Sequence, residues 1–136
     1  MNTLLQRVDE AIRRHGLPWR RWGSTVEVEL WRGGRRQRVH LEREDDRYVL
    51  WSPVVGPAIV TRSNREWAEL AYRAWRKNSF KELVGFSFDR RNRLIGVIEQ
   101  PAATLDHEEL VLYIETLAQE CDRFEHKLTG KDSDSG

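Results

Sequence analysis

The side chains that could carry out a reaction are few and widely spaced. Cys121 is the sole cysteine, which rules out an intrachain disulfide and a multi-cysteine metal site. It falls in phase with Leu110, Ile114, Leu117, Phe124 and Leu128 on an apolar helical stripe, the setting of a small buried hydrophobe rather than of a thiolate nucleophile. His15, His40, His107 and His126 belong to four different segments, with no H-E-x-x-H pair to put two metal ligands on one helix face. His107-Glu108-Glu109 lies in the first turn of an expected helix, where acids favour the positive end of the dipole. No G-x-S-x-G elbow presents a serine. Gly33-Gly34-Arg35-Arg36 has glycines that could cradle a phosphate but lacks the Gly-Lys-Ser/Thr ending and the strand-to-helix setting, so it reads as a hairpin turn. Glu27 and Glu29 fall on a solvated strand face and Asp45-Asp46 in a turn, so no carboxylate pair sits in a desolvating pocket. These residues imply a protein that is not an enzyme and that uses neither metal nor cofactor.

The aromatic and basic residues point elsewhere. Six tryptophans in 136 residues are more than a core of this size requires, and Trp19 and Trp22 interleave with Arg20 and Arg21. Such a run could stack single-stranded bases, fold back over the sheet, or rim a protein-binding groove. Trp67 and Trp75 share a helical stripe with Leu70, Ala71 and Ala74 and read as core or interface.

Three amphipathic helices and five strands must position these groups. Leu4, Leu5, Val8, Ala11 and Ile12 recur at helical spacing over residues 3–15, and Gly16 and Pro18 end that helix. Ser63 with Glu66 opens a helix over 64–77, and Asp106 with Glu109 opens one over 107–128. Strict alternation in 25–31, alternation of Val39 and Leu41 with His40 and Glu42 in 36–44, and the aromatic and β-branched content of 47–52, joined at Gly33-Gly34 and Asp45-Asp46, predict a meander ending near Pro53 or Pro57. Residues 83–89 and 93–99 form a hairpin about Arg91-Asn92. The order is α-β-β-β-α-β-β-α: one α+β domain over residues 1–129, with a five-stranded antiparallel sheet packed against helices. Residues 130–136 are a polar tail expected to be disordered.

Composition agrees with a soluble domain: 33% of residues are charged and 39% hydrophobic. No apolar run is long enough for a membrane helix, and the N-terminus has acids where a signal peptide needs an apolar segment, so a cytoplasmic protein is expected. Charge is divided unevenly. Residues 1–93 carry 20 Lys or Arg against 12 Asp or Glu, and residues 94–136 carry 3 against 10. The acidic last helix can neutralise basic strands, or a basic face can meet an acidic partner.

Residues 93–132, with the closing hairpin RNRLIGVIEQ, the L-D-x-E-E-L helix start and the helix YIETLAQECDRFEHKLTG, resemble the YbjN-like family, which is related to the class I type III secretion chaperones. The element order resembles theirs over nearly the whole chain. The resemblance implies a non-enzymatic protein- or peptide-binding module, chaperone- or adaptor-like and often dimeric, with no catalytic residues to carry over.

A sheet with helices on one face leaves the other free. That free face is expected to carry Glu27, Glu29, Trp31, Arg38, His40 and Glu42, with Tyr48 or Trp51 beside them according to the register of the third strand. Trp31, in phase with Glu27 and Glu29, is its expected anchor. The second expected contact is the middle helix, where Trp67, Leu70 and Trp75 could form a homodimer seam. A partner-protein segment on the sheet face is the leading reading, and single-stranded nucleic acid held by arginines and stacked on tryptophans is the alternative.

Overall fold

The computed structural model describes residues 2–30, 34–79 and 83–129. Its elements are α1 (Asn2–His15), β1 (Trp19–Trp22), β2 (Thr25–Glu29), β3 (Arg36–Glu44), β4 (Arg47–Val55), α2 (Pro57–Val60), α3 (Asn64–Ser79), β5 (Gly85–Phe88), β6 (Leu94–Pro101) and α4 (His107–Thr129). The α+β architecture and the antiparallel sheet are those the sequence pattern predicts, except that the sheet has six strands rather than five, in the order β1-β2-β3-β4-β6-β5.

The extra strand is β1. Its sequence, WRRW, does not alternate apolar with polar, so periodicity hides it. Pairing Trp19 with Val28 and Trp22 with Thr25 nevertheless buries Trp19 and leaves Trp22 on the opposite face. Arg21, on the same face as Trp19, meets Asp9 of α1 through two hydrogen bonds of 2.6 and 2.7 Å. That bond and the two nearby arginines hold the Asp9 carboxyl below its usual range against the opposing effect of burial.

Of the two stops expected for the meander, Pro57 rather than Pro53 lies next to the end of the strand, which runs past the expected residue 52. β4 continues to Val55 and pairs with β6 on one side, with a register shift between Pro53 and Val55. On the other side the backbone ladder with β3 stops at His40 and Trp51. Side chains take over there: Gln37 donates to Ser52 Oγ and to the Pro53 carbonyl, both at 2.7 Å, and Ser52 donates to the Arg38 carbonyl at 2.6 Å. Proline is tolerated because no neighbouring strand needs its missing N–H at that point. β2 stops at Glu29, short of the expected residue 31. Trp31 and the tail at 130–136 lie outside the described residues.

One face of the sheet is sealed by α4, which lies across β3, β4 and β6. Leu110, Ile114, Leu117, Cys121 and Phe124 of this helix are buried against Val39, Leu41, Leu50 and Ile98 of the strands. The approach is close: a Cβ on Gly96 of β6 would overlap Cys121 Sγ and press on Val84 and Leu117. α1 packs on α4 and β1, whereas α3 packs mainly on β5. Both helix starts predicted as capping boxes occur, with the Glu109 N–H donating to Asp106 Oδ1 (2.8 Å) and the Glu66 N–H to Ser63 Oγ (3.0 Å).

Candidate functional site

The open face is organised by register. Trp22 pairs with Thr25, Thr25 with His40, His40 with Trp51 and Trp51 with Val97. These five residues therefore form one row across five strands, on the face away from α4. Tyr48 is on the buried side, at 3% exposure, so of the two residues offered by the third-strand pattern it is Trp51 that faces outward.

Contacts within the row are specific. The His40 and Trp51 rings stack with centroids 4.2 Å apart, and His40 Nδ1 lies 3.1 Å from Thr25 Oγ1. The Arg93 guanidinium sits 4.9 Å from the Trp51 ring, and that of Arg38 lies 5.4 Å from the Trp22 ring. Arg93 is held by Asp89, whose carboxylate accepts from Arg93 Nε at 2.8 Å and from the backbone N–H groups of Arg91 and Arg93 at 2.9 Å. Those bonds lower the Asp89 pKa despite burial, which acts the other way and is the largest single influence. Arg38 is held on its other side by Glu27, 3.6 Å away. For His40, burial lowers the pKa most, Arg93 and Arg38 lower it further, and Glu42 opposes them.

Among the residues expected on this face, Glu27, Glu29, Arg38, His40 and Glu42 share the outward register. Trp31 is not placed. Two contributors escaped the sequence pattern. Trp22 belongs to the strand that periodicity missed and is 46% exposed. Arg93 looked like a turn residue, and only the Asp89 side chain two and four positions before Arg91 and Arg93 hinted that the turn is self-organised.

Trp67 and Trp75 are not brought to this face. α3 buries Leu70 and Ala74, leaving Trp67 49% and Trp75 64% exposed. Of the stripe read as core or interface, only the Leu70 and Ala74 part is covered, because a four-residue edge strand is too narrow to bury all of it. Trp67 stacks on Phe88 at 5.7 Å, and Trp75 on Tyr72 at 6.2 Å. Asn78 of the same helix closes the outer edge of β5, accepting from the Phe86 N–H and donating to its carbonyl, both at 2.8 Å.

Cys121 is fully buried, and burial pushes its thiol pKa up to about 12, so it is a packing residue and not a nucleophile. Asp122, Glu125 and His126 bring ligand-type atoms within 4.8 Å of one another, a grouping that the scattered histidines did not foreshadow. Arg35 Nη2 occupies one side of it, 3.0 Å from Asp122 Oδ2, and His126 Nε2 lies 3.4 Å from Asp122 Oδ1. A guanidinium already opposite the carboxylate makes this an ion-pair network that ties the β2–β3 hairpin to α4.

No protein-family model matches the chain, and no curated protein matches it in sequence. Solved structures do match in shape. The chain is similar to the ExsC-ExsE complex with a TM-score of 0.62 at 18% identity, covering 93% of this chain and 94% of that one. It is similar to YbjN from E. coli with a TM-score of 0.59 at 11% identity, covering 95% and 91%. It is also similar to the Yersinia pestis type III secretion chaperone SycH, solved with a stable fragment of YscM2, with a TM-score of 0.56 at 15% identity over 89% and 98%. The fold is therefore YbjN-like and related to that of the type III secretion chaperones.

Proposed function

We propose that this protein is a non-enzymatic module, chaperone- or adaptor-like, that binds a segment of a partner protein on the open face of its sheet. The observation that carries this reading is the row Trp22, Thr25, His40, Trp51 and Val97, flanked by Arg38 and Arg93. An aromatic centre with arginines and a charged rim is the composition of a protein-binding patch. Structures of similar shape, the ExsC-ExsE complex and SycH with its YscM2 fragment, contain a bound partner protein, which supports the same reading. Trp31 is assigned to this patch as a further anchor on its sequence phase. Among the described residues no helix is long and apolar enough to cross a membrane, and a cytoplasmic setting suits a protein of this kind with a single, buried cysteine.

Peptides selected from a random phage-displayed library on the immobilised protein should lose affinity in Trp22→Ala and Trp51→Ala and keep it in Trp67→Ala. Retention in both sheet variants would refute the assignment. Tight, salt-sensitive quenching of tryptophan fluorescence by a single-stranded oligonucleotide, without peptide selection, would favour nucleic acid instead.

A second reading assigns the Trp67 and Trp75 flank of α3 to a homodimer seam, favoured by the exposure of both rings beside a blocked β5 edge. Sedimentation of the wild type and of Trp67→Ala/Trp75→Ala tests it, the double variant being monomeric at concentrations where the parent is a dimer.

A further inference from the structure

The opposite flank of α3 carries a different chemistry. Between α3 and α4 lies an open groove of about 360 Å³ lined by Tyr72, Arg73, Arg76, Lys77, Phe124 and Lys127, with Glu69 at one end. Its floor is aromatic, Phe124 meeting Phe86 edge-to-face at 4.8 Å. The Lys77 ammonium is held above that floor, 5.1 Å from the Phe124 ring and 5.8 Å from Phe86. Four cations thus surround a partly dry surface.

What sets them apart is their convergence on one groove, since among the described residues other cations, Arg13, Arg14, Arg20 and Arg65 among them, are also without an ion pair. On the sheet, Arg36 and Arg38 pair with Glu27, Arg47 with Glu99 and Arg93 with Asp89. On the helices, Arg62 pairs with Glu66 and Arg123 with Glu120. Among the described residues, Arg73, Arg76, Lys77 and Lys127 form no ion pair with any carboxylate. Four like charges converging on one groove repel one another, and an anion that fills it relieves that repulsion. A second copy of the chain is a poor occupant, because a two-fold interface would set these cations against themselves.

From Glu69 to Lys77 the groove follows α3 for roughly 12 Å at about 1.5 Å per residue. An extended peptide covers that length with about four residues. We infer that the groove between α3 and α4 docks a short acidic stretch of a partner protein, about four residues rich in Asp or Glu. Nucleic acid fits less well, since the floor rings lie beneath Lys77 rather than open to a base. This site is separate from the sheet-face reading and does not depend on it.

The test is a calorimetric titration of the full chain with Gly-Glu-Glu-Glu-Glu-Gly, its all-Gln analogue and a twelve-nucleotide oligothymidylate, at low and high salt. The acidic peptide should bind, weaken as salt rises, and lose at least about tenfold in affinity in Arg76→Glu/Lys127→Glu, both exposed side chains whose reversal leaves the circular dichroism unchanged. Trp51→Ala should leave this binding intact, so failure of the sheet-face site and failure of the groove give different patterns. Equal binding of the Gln analogue, no binding of the acidic peptide, unchanged affinity in the charge reversal, or tighter binding of the oligonucleotide through the same residues would each overturn the inference.

Discussion

The two faces of the sheet are built from alternate residues of the same strands and have opposite characters. Leu50 and Trp51 are neighbours in β4. Leu50 is fully buried beneath α4 with Leu41 and Ile98, whereas Trp51 lies against His40 and Arg93 on the face away from α4. On the covered face the energy comes from removing apolar surface from water and from close packing. On the open face large rings are partly wet and are braced by cations.

The largest expected effect lies on the covered face. Leu50→Ala should cost about 2–5 kcal/mol in a urea unfolding experiment, because a full side chain is lost beneath a rigid helix. Trp51→Ala, one residue on, should cost less, about 1–2 kcal/mol in the same experiment, since a partly exposed ring loses stacking and cation–π contacts without leaving a closed cavity. Comparable losses in the two variants would abolish the distinction between the faces.

Gly96→Ala should destabilise by about 1–3 kcal/mol through overlap with Cys121, Val84 and Leu117. Adding Cys121→Ala in the same chain should recover part of that loss, a coupling that a double-mutant cycle measures. Additive penalties would mean that helix and strand separate rather than press on each other.

On the open face the effect moves from stability to recognition. Trp51→Ala should weaken binding of a library-selected peptide by about 2 kcal/mol, as expected of an aromatic anchor, measured by titration at constant salt.

The smallest expected effect is that of His40. Burial and the nearby Arg93 and Arg38 depress its folded-state pKa below the ordinary value near 6.5. Between those two pKa values the unfolded chain binds more protons, so stability rises with pH there and is lost as pH falls below about 6.5. His40→Gln should flatten that part of a pH–stability profile. An unchanged slope would show that another group is responsible.

Much of this contrast was legible in the residue pattern. Val26, Val28, Val39 and Leu41 alternate with Glu27, Arg38, His40 and Glu42, and period 2 assigns each set to its face. The capping boxes located the starts of two helices. The pattern failed where tertiary contacts replaced local ones. WRRW becomes a strand because Trp19 finds the core and Arg21 finds Asp9, neither of which is a local signal. Pro53 remains within β4 because Gln37, sixteen residues earlier in the chain, supplies a bond to its carbonyl. The helical stripe containing Trp67 and Trp75 reads as core or interface, and the width of the strand beneath it, which helical periodicity does not encode, decides how much is covered.

The most direct measurement is a ¹⁵N–¹H spectrum of the indole N–H groups during titration with a library-selected peptide. Among the described residues the five tryptophans are spread over β1, β4 and α3, so their resonances act as separate reporters for the open face, the core and the helix flank. Partner binding on the open face predicts that the Trp22 and Trp51 resonances move together to saturation while those of Trp19, Trp67 and Trp75 remain in place. Movement of Trp67 and Trp75 with Trp22 and Trp51 unchanged would contradict it and transfer the partner site to α3.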